Sequence, residues 1–190
     1  MTCRTAFFES APWICLRVFA GVMVFLATLH AQPANEFQVK AVFLYNFAQF
    51  VEWPARAFAT PQSPLVIGVL GEDPFGAYLD EAIVGETVNQ RPLTIQRYRR
   101  VDEIETCHVL FISRSETRRL EQILTRLKDR NILTVGDSEA FAARGGIIQF
   151  ISENNKIRFR INLSAAQAVD LVISSKVLRT ADVITPVVSR

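Results

Sequence analysis

Cys107 and His108 are the residues of this 190-residue chain best suited to nucleophilic or metal chemistry. They stand next to each other just before the apolar run 109–112, which is typical of a buried strand. Adjacent side chains in a strand point to opposite faces of the sheet, so these two cannot form a cysteine–histidine dyad with each other. Without a predicted N-terminal leader that carries Cys3, Cys15 and His30, they are the one cysteine and the one histidine of the chain, which is poor material for a zinc site. No serine lies in a Gly-x-Ser-x-Gly context. The chain is therefore predicted not to be an enzyme and to need no metal or cofactor.

Charged residues follow three predicted strands, at the ends where parallel sheets usually hold their ligands. They are Glu72, Asp73, Arg114 and Asp137. Their convergence would suit a metal, a phosphate or a small molecule, and a binding protein of that kind is the competing hypothesis. Local sequence offers a simpler explanation, because Asp73 can cap a helix and Gly136 can turn the chain. Neither the Gly-x-Gly-x-x-Gly fingerprint nor a Walker-type lysine is present in the sequence.

The N-terminal segment has the features of a secretory leader. Two arginines supply positive charge, residues 18–29 form a short apolar run, and Ala31 offers a small residue for cleavage. The run is shorter than the roughly 20 apolar residues that span a membrane, although an uncleaved anchor is the alternative. We therefore predict a signal peptide at residues 1–31 and an exported α/β domain at residues 36–190.

Removal of the leader changes the cysteine and charge counts. Of the 3 cysteines only Cys107 would stay, so no intrachain disulfide could form. A lone thiol is either a buried apolar filler or an intermolecular thiol, and the neighbouring apolar run favours the buried filler. The 21 basic and 19 acidic residues fall to 19 and 18 without Arg4, Arg17 and Glu9. Such a nearly neutral domain lacks the basic footprint of a nucleic-acid-binding protein.

The apolar pattern of the mature chain changes type several times, as it does when strands alternate with helices. Strands are predicted at residues 65–70, 92–98, 109–112 and 132–135, followed by a hairpin of 147–151 and 157–161. Helices are predicted at residues 74–82, 115–128, 138–143, 163–171 and 175–178. The alternation predicts one three-layer α/β/α domain with a mostly parallel sheet and a C-terminal antiparallel hairpin.

The first predicted helix, residues 37–54, carries a broad apolar arc. Lys40 falls inside that arc, where a buried ammonium would need a carboxylate partner unless its long stem lets it reach water. Asn46 lies at the edge of the arc, where it could bond a neighbouring backbone group. Trp53-Pro54 is expected to end the helix. We therefore predict that this helix anchors the domain against the sheet.

The sequence of that helix, FQVKAVFLYNFAQFVEWP, resembles the opening segment of the YfiR-like family of bacterial periplasmic proteins. The signature positions, which we interpret as structural, are Lys40, Tyr45, Asn46, Phe47, Phe50, Trp53 and Pro54. Later segments agree with the family in order along the mature chain, at residues 67–71, 107–113, 133–137, 145–146 and 161–163.

This resemblance implies a non-enzymatic regulator located in the periplasm. The best-known family members bind the periplasmic sensor domain of an inner-membrane diguanylate cyclase and hold it inactive until an outer-membrane OmpA-like lipoprotein draws them away. Cyclic-di-GMP signalling and biofilm formation are controlled in this way. Some relatives also carry cysteines able to form a disulfide in the later half, but residues 141–151 of this chain contain none. Redox control through an internal disulfide is therefore not expected here.

The surface that contacts a partner is predicted at the other end of the chain. Phe150 and Arg160 belong to the closing hairpin, which we expect to be an edge with unpaired backbone groups, and Gln167 flanks it on the C-terminal tail. The sequence leaves open whether the protein also forms a homodimer.

Overall fold

The computed structural model describes residues 35–154 and 156–184. The predicted signal peptide at residues 1–31 lies outside these residues and stays a prediction. Among the helices formed by the described residues, none has the length and apolar character needed to cross a membrane.

Strands and short helices alternate along the described chain. The strands are β1 (Val51–Glu52), β2 (Leu65–Leu70), β3 (Thr87–Val88), β4 (Arg91–Tyr98), β5 (Val109–Ile112), β6 (Leu133–Gly136), β7 (Ile148–Glu153), β8 (Lys156–Asn162), β9 (Val172–Ile173) and β10 (Asp182–Ile184). The α-helices are α1 (Asn35–Phe50), α2 (Ala77–Ile83), α3 (Leu120–Leu127), α4 (Leu163–Ala168) and α5 (Ser175–Leu178). Short 3-10 helices lie at Ala55–Ala57, Val101–Glu103 and Arg114–Arg119.

Eight strands form one sheet in the order β10-β8-β7-β6-β5-β2-β4-β3. The strands from β4 through β2, β5 and β6 to β7 run parallel to one another. β8 returns antiparallel to β7, and β3 pairs antiparallel with β4. The predicted α/β class, with a mostly parallel sheet and a C-terminal antiparallel hairpin, is therefore confirmed.

The central strands are covered on both faces. Every residue of β2, β5 and β6 is buried. Alternate residues of β5 serve different layers, because Val109 and Phe111 pack in the core that includes α1, whereas Leu110 and Ile112 pack with α3. Strands buried on both faces have continuous apolar sequences, which is why the sequence located these three well.

The first helix is shorter than predicted. α1 ends at Phe50, and the chain continues as β1, which pairs antiparallel with β9. Pro54 disfavours a helical backbone in the residue before it, so the helix cannot continue to the proline. The extended conformation of β1 is stabilised by a partner strand about 120 residues later in the chain, which the local sequence could not reveal.

Two other helix predictions were inexact or wrong. α2 begins at Ala77 rather than at residue 74, because Asp73 Oδ1 accepts a hydrogen bond from the Phe75 amide and holds the chain in a turn. The prediction of a helix at residues 138–143 was wrong, since the segment forms turns. Ala140 has a φ angle of 54° there, which interrupts a right-handed helix.

The helix predicted over residues 115–128 is divided into two parts. Arg114–Arg119 forms a 3-10 helix, and α3 follows with Leu120, Ile123 and Leu127 buried at the predicted helical spacing. The apolar period therefore identified the buried face of α3 correctly, although the helix begins later.

The closing hairpin does not form the edge of the sheet. β10 pairs parallel to β8, with Asp182 opposite Arg160, and covers the edge that we had expected to be open. Only three residues long, β10 is too short to give a recognisable period. Asn162 caps α4 as predicted, because its Oδ1 accepts a hydrogen bond from the Ala165 amide at 3.0 Å.

Candidate functional site

A buried ion pair joins α1 to the carboxyl end of β6. Lys40 Nζ lies 2.7 Å from Asp137 Oδ2 and 2.6 Å from Glu36 Oε1. The Lys40 side chain is 0% exposed and that of Asp137 is 3% exposed, so the ammonium is buried with its partners rather than reaching water. Of the two alternatives for Lys40, a carboxylate partner is the correct one. A buried charge without such partners would be very costly.

Glu36 is the more exposed of the two carboxylate partners of Lys40. It stands one helical turn before Lys40, and Ser152 Oγ donates a hydrogen bond to Glu36 Oε1 at 2.7 Å. These bonds, first of all the one from Lys40, hold the pKa of the Glu36 carboxyl below its usual value. Sequence reasoning missed Glu36, although its i, i+4 spacing to Lys40 is the signal that could have identified it.

Arg114 approaches Asp137 from the solvent side. Its Nε lies 3.3 Å from Asp137 Oδ1 and donates to the Asp137 backbone oxygen at 3.2 Å. Both residues line a cleft of about 410 Å³, within the range of small-molecule sites. The other residues that line it are Thr117, Ser138, Glu139, Gln149, Phe150, Ile151 and Ser152. The structure thus brings together two of the four charged residues that sequence placed at the strand ends.

Of the other two charged residues, Asp73 belongs to a separate cluster around Arg97, and Glu72 belongs to neither cluster. Asp73 Oδ2 accepts a hydrogen bond from Arg97 Nε at 2.7 Å, and the same guanidinium bonds the Asp80 carboxylate at 2.6 Å. These carboxylates raise the pKa of Arg97. Glu72 is exposed, and its backbone amide donates to Ser115 Oγ. Arg97 therefore holds Asp73 against the start of α2, and the alternative ligand site at the strand ends stays a prediction.

Among residues 35–154 and 156–184, no group of three or more His, Cys, Asp and Glu side chains is arranged to hold a metal ion.

His108 and Cys107 lie on opposite faces of the sheet, as predicted. His108 Nδ1 accepts a hydrogen bond from the Val66 amide at 3.0 Å, and Nε2 lies 3.1 Å from the Ala57 oxygen. Its ring stacks on Phe58 with centroids 4.4 Å apart, and burial lowers its pKa. Cys107 packs in the core that includes α3, where burial raises its pKa to about 12. Both side chains serve packing, and the prediction of a buried cysteine is confirmed.

A family model described as YfiR/HmsC-like matches residues 37–182 of the chain. The chain belongs to the YfiR/HmsC-like family. The match begins in α1 and ends at the first residue of β10, so it includes the pair Lys40–Asp137, the cleft and the other seven strands of the sheet. A comparison with curated proteins found no match. Family membership indicates a regulator of cyclic-di-GMP signalling in general terms, in a family of regulators rather than enzymes.

Several signature positions of this YfiR/HmsC-like chain contact other parts of the domain. Tyr45 donates to Glu86 Oε2 at 2.5 Å and is bonded by Gln49. Phe47 is buried in the core. Lys176 Nζ lies over the Phe50 ring, 5.6 Å from the ring centroid.

The end of the signature packs beside β5. Trp53 meets the His108 ring edge to face, at a centroid distance of 6.3 Å. Asn46 and Pro54 are half-buried. The interpretation of the signature as structural stays a prediction.

The three residues predicted to contact a partner have different environments. Phe150 is 2% exposed and packs against Phe47, with ring centroids 5.8 Å apart, so its predicted exposure on an edge was wrong. The physical reason is that Phe150 points to the α1 face of β7, which is the core face. Arg160 is partly exposed, and Gln167 is exposed on α4. A partner contact at Arg160 and Gln167 stays a prediction for this YfiR/HmsC-like protein.

Proposed function

We propose that this protein is a periplasmic regulator that binds the periplasmic sensor domain of an inner-membrane diguanylate cyclase and represses it. The observation that carries the proposal is the YfiR/HmsC-like match over residues 37–182. Repression of the cyclase would lower cyclic-di-GMP and so restrain biofilm formation. An outer-membrane OmpA-like lipoprotein would relieve the repression by binding the regulator in its place.

The surroundings of the most reactive side chains support a binding protein. His108 has hydrogen-bonding neighbours at both ring nitrogens, and the Cys107 thiol is buried in the core. Lys40 is neutralised by two carboxylates. A nucleophile or general base must reach its substrate, and these three groups are enclosed by the fold.

The site of action follows from the predicted leader. A signal peptide at residues 1–31 would deliver the folded domain to the periplasm, where the sensor domain is accessible. Fusion of alkaline phosphatase after residue 36 tests this step, because that enzyme is active only after export. Strong phosphatase activity is expected with the leader present, and removal of residues 1–31 should abolish it. Equal activity with and without the leader would contradict a periplasmic location.

Co-purification tests the partner. The tagged full-length protein, expressed in its host and captured from detergent-solubilised envelopes, should recover an inner-membrane protein with a periplasmic sensor domain and a cyclase domain. Deletion of the gene should raise cellular cyclic-di-GMP, and complementation should lower it again. Recovery of no such cyclase, together with unchanged cyclic-di-GMP in the deletion strain, would refute the proposed function.

A second candidate function is a periplasmic small-molecule binder. The observation that favours it is the cleft of about 410 Å³ in which Arg114 and Asp137 meet at the ends of the parallel strands. A thermal-shift screen with nucleotides, amino acids and metal ions separates the two candidates, since a ligand that binds only the folded state raises the melting temperature. A shift that disappears in Arg114→Ala would locate the ligand in this cleft.

A further inference from the structure

A second cleft, of about 430 Å³, lies between the closing hairpin and the segment that joins α5 to β10. Arg158 and Arg160 line it, and so does Phe159 between them, which also packs in the core that includes α1. Arg179 lines the same cleft from the segment that follows α5. We call this the arginine cleft, with Ile151, Arg158, Arg160, Arg179 and Asp182 as its defining residues.

The positive charge of the arginine cleft is only partly compensated. Arg160 Nε lies 2.9 Å from Asp182 Oδ2, so this arginine is paired. Glu153 also lines the cleft and stands opposite Lys156 in the hairpin. Neither Arg158 nor Arg179 forms an ion pair with another residue of the described chain, and both are exposed. Two guanidinium groups are therefore available in a domain that is otherwise close to neutral.

The shape of this region suits a polypeptide better than a free anion. Ile151, half-buried, provides an apolar surface between this cleft and the one at Asp137, because it lines both. β10 is the outermost described strand on this side, and its Val183 is 44% exposed. An outermost strand offers backbone groups to an extended segment, and the adjacent arginines would select acidic side chains in that segment.

We propose that the arginine cleft receives an extended acidic segment of the protein partner, whose carboxylates pair with Arg158 and Arg179. This inference rests on the proposed function, because it names the chemistry of the partner and the place where it binds. A domain with almost no net charge can recognise an acidic segment in this way, since specificity arises from local complementarity rather than from net charge.

Charge reversal tests the inference. Arg158→Glu/Arg179→Glu should reduce recovery of the cyclase at least about tenfold in the envelope co-purification, because like charges would face each other across the contact. The matched control is Arg118→Glu/Arg126→Glu, which makes the same change of charge at two exposed arginines outside the cleft and should leave recovery within about twofold. Capture by the wild type should also weaken as salt is raised.

The outcomes separate this inference from the proposed function. Capture by wild type and control but not by the cleft variant supports both. Equal capture by all three proteins overturns the arginine cleft while the proposed function stands. Failure of the wild type to capture any cyclase refutes the proposed function, and the inference falls with it. If the cleft variant does not show the wild-type melting temperature, Arg158→Gln/Arg179→Gln replaces it. Recovery of the cyclase by this second variant at the wild-type level overturns the inference.

Discussion

Lys40 and Asp137 are 97 residues apart in the chain, yet their side chains meet at 2.7 Å in the interior of the domain. One belongs to α1 and the other follows β6, so the pair fixes the helix to the carboxyl end of the central sheet. Glu36 and Arg114 contact the same pair from its two more exposed sides. These four charged side chains alternate in sign and connect α1 to the cleft that Asp137 lines.

Loss of either member of the pair should destabilise the domain strongly. Lys40→Met leaves a buried carboxylate short of a partner, and we expect a loss of about 3 kcal/mol in the free energy of unfolding. Lys40→Met/Asp137→Leu should recover at least half of that loss, because it removes both buried charges. Urea denaturation measures both values, with Lys128→Met as an exposed control that should change stability by less than about 0.5 kcal/mol. A stability of Lys40→Met equal to that of the control would show that the ion pair contributes nothing.

Substitution should cost much more stability at Phe150 than at Arg160. Phe150→Ala removes a buried ring from the contacts with Phe43 and Phe47, and we expect a loss of about 3–5 kcal/mol in the free energy of unfolding. Arg160→Gln removes a partly exposed ion pair and should cost less than about 1 kcal/mol. Thermal unfolding followed by circular dichroism compares them. A stable Phe150→Ala variant would contradict the assignment of Phe150 to the core.

Stability should fall on mild acidification because of His108. Burial lowers the pKa of His108 in the folded state, so the unfolded chain binds a proton at a higher pH than the folded one. Above the unfolded pKa of about 6.5, His108 is neutral in both states and its protonation costs the folded state nothing. As the pH falls below that value, the unfolded chain is protonated first, and the folded state loses stability relative to it. The free energy of unfolding should therefore decrease between pH 7 and pH 5.

His108→Gln is the variant that isolates this effect. It should lower stability at pH 7, since the Val66 amide loses its acceptor, but flatten the decrease between pH 7 and pH 5. Glu36→Gln serves as the control, because the pKa of Glu36 is lowered from about 4.5 and its effect belongs to more acidic solutions. An unchanged slope in His108→Gln would assign the acid sensitivity to other groups.

Cys107 should be chemically silent in the folded protein. Burial raises its pKa to about 12, so almost no thiolate is present at neutral pH, and the core shields the sulfur. Reaction with a thiol-specific chromogenic reagent at pH 8 should be roughly 100-fold slower in the native protein than in guanidinium chloride. Rapid native labelling would instead favour the intermolecular thiol that the sequence left open.

Local sequence identified the elements whose signals are local. The apolar runs of β2, β5 and β6 are continuous because both faces of these strands are covered, and the period of α3 reflects a single buried face. The turn at residues 138–143 was mistaken for a helix, since a positive φ at Ala140 has no signature in a non-glycine residue. The short strands β1, β9 and β10 were missed because they exist only through pairing with distant segments.

The sequence by itself determined the α/β class, the opening helix and the family resemblance, and it left Lys40 with either a carboxylate partner or access to water. Only the tertiary structure decided that this partner is Asp137, that Asp73 is held by Arg97 instead, and that Phe150 faces the core while β10 covers β8. The physical reason is that the burial and the period of a helix or strand are visible in the order of apolar and polar residues along the chain. The choice among several carboxylates, or between two faces of a strand, depends on which segments meet in space.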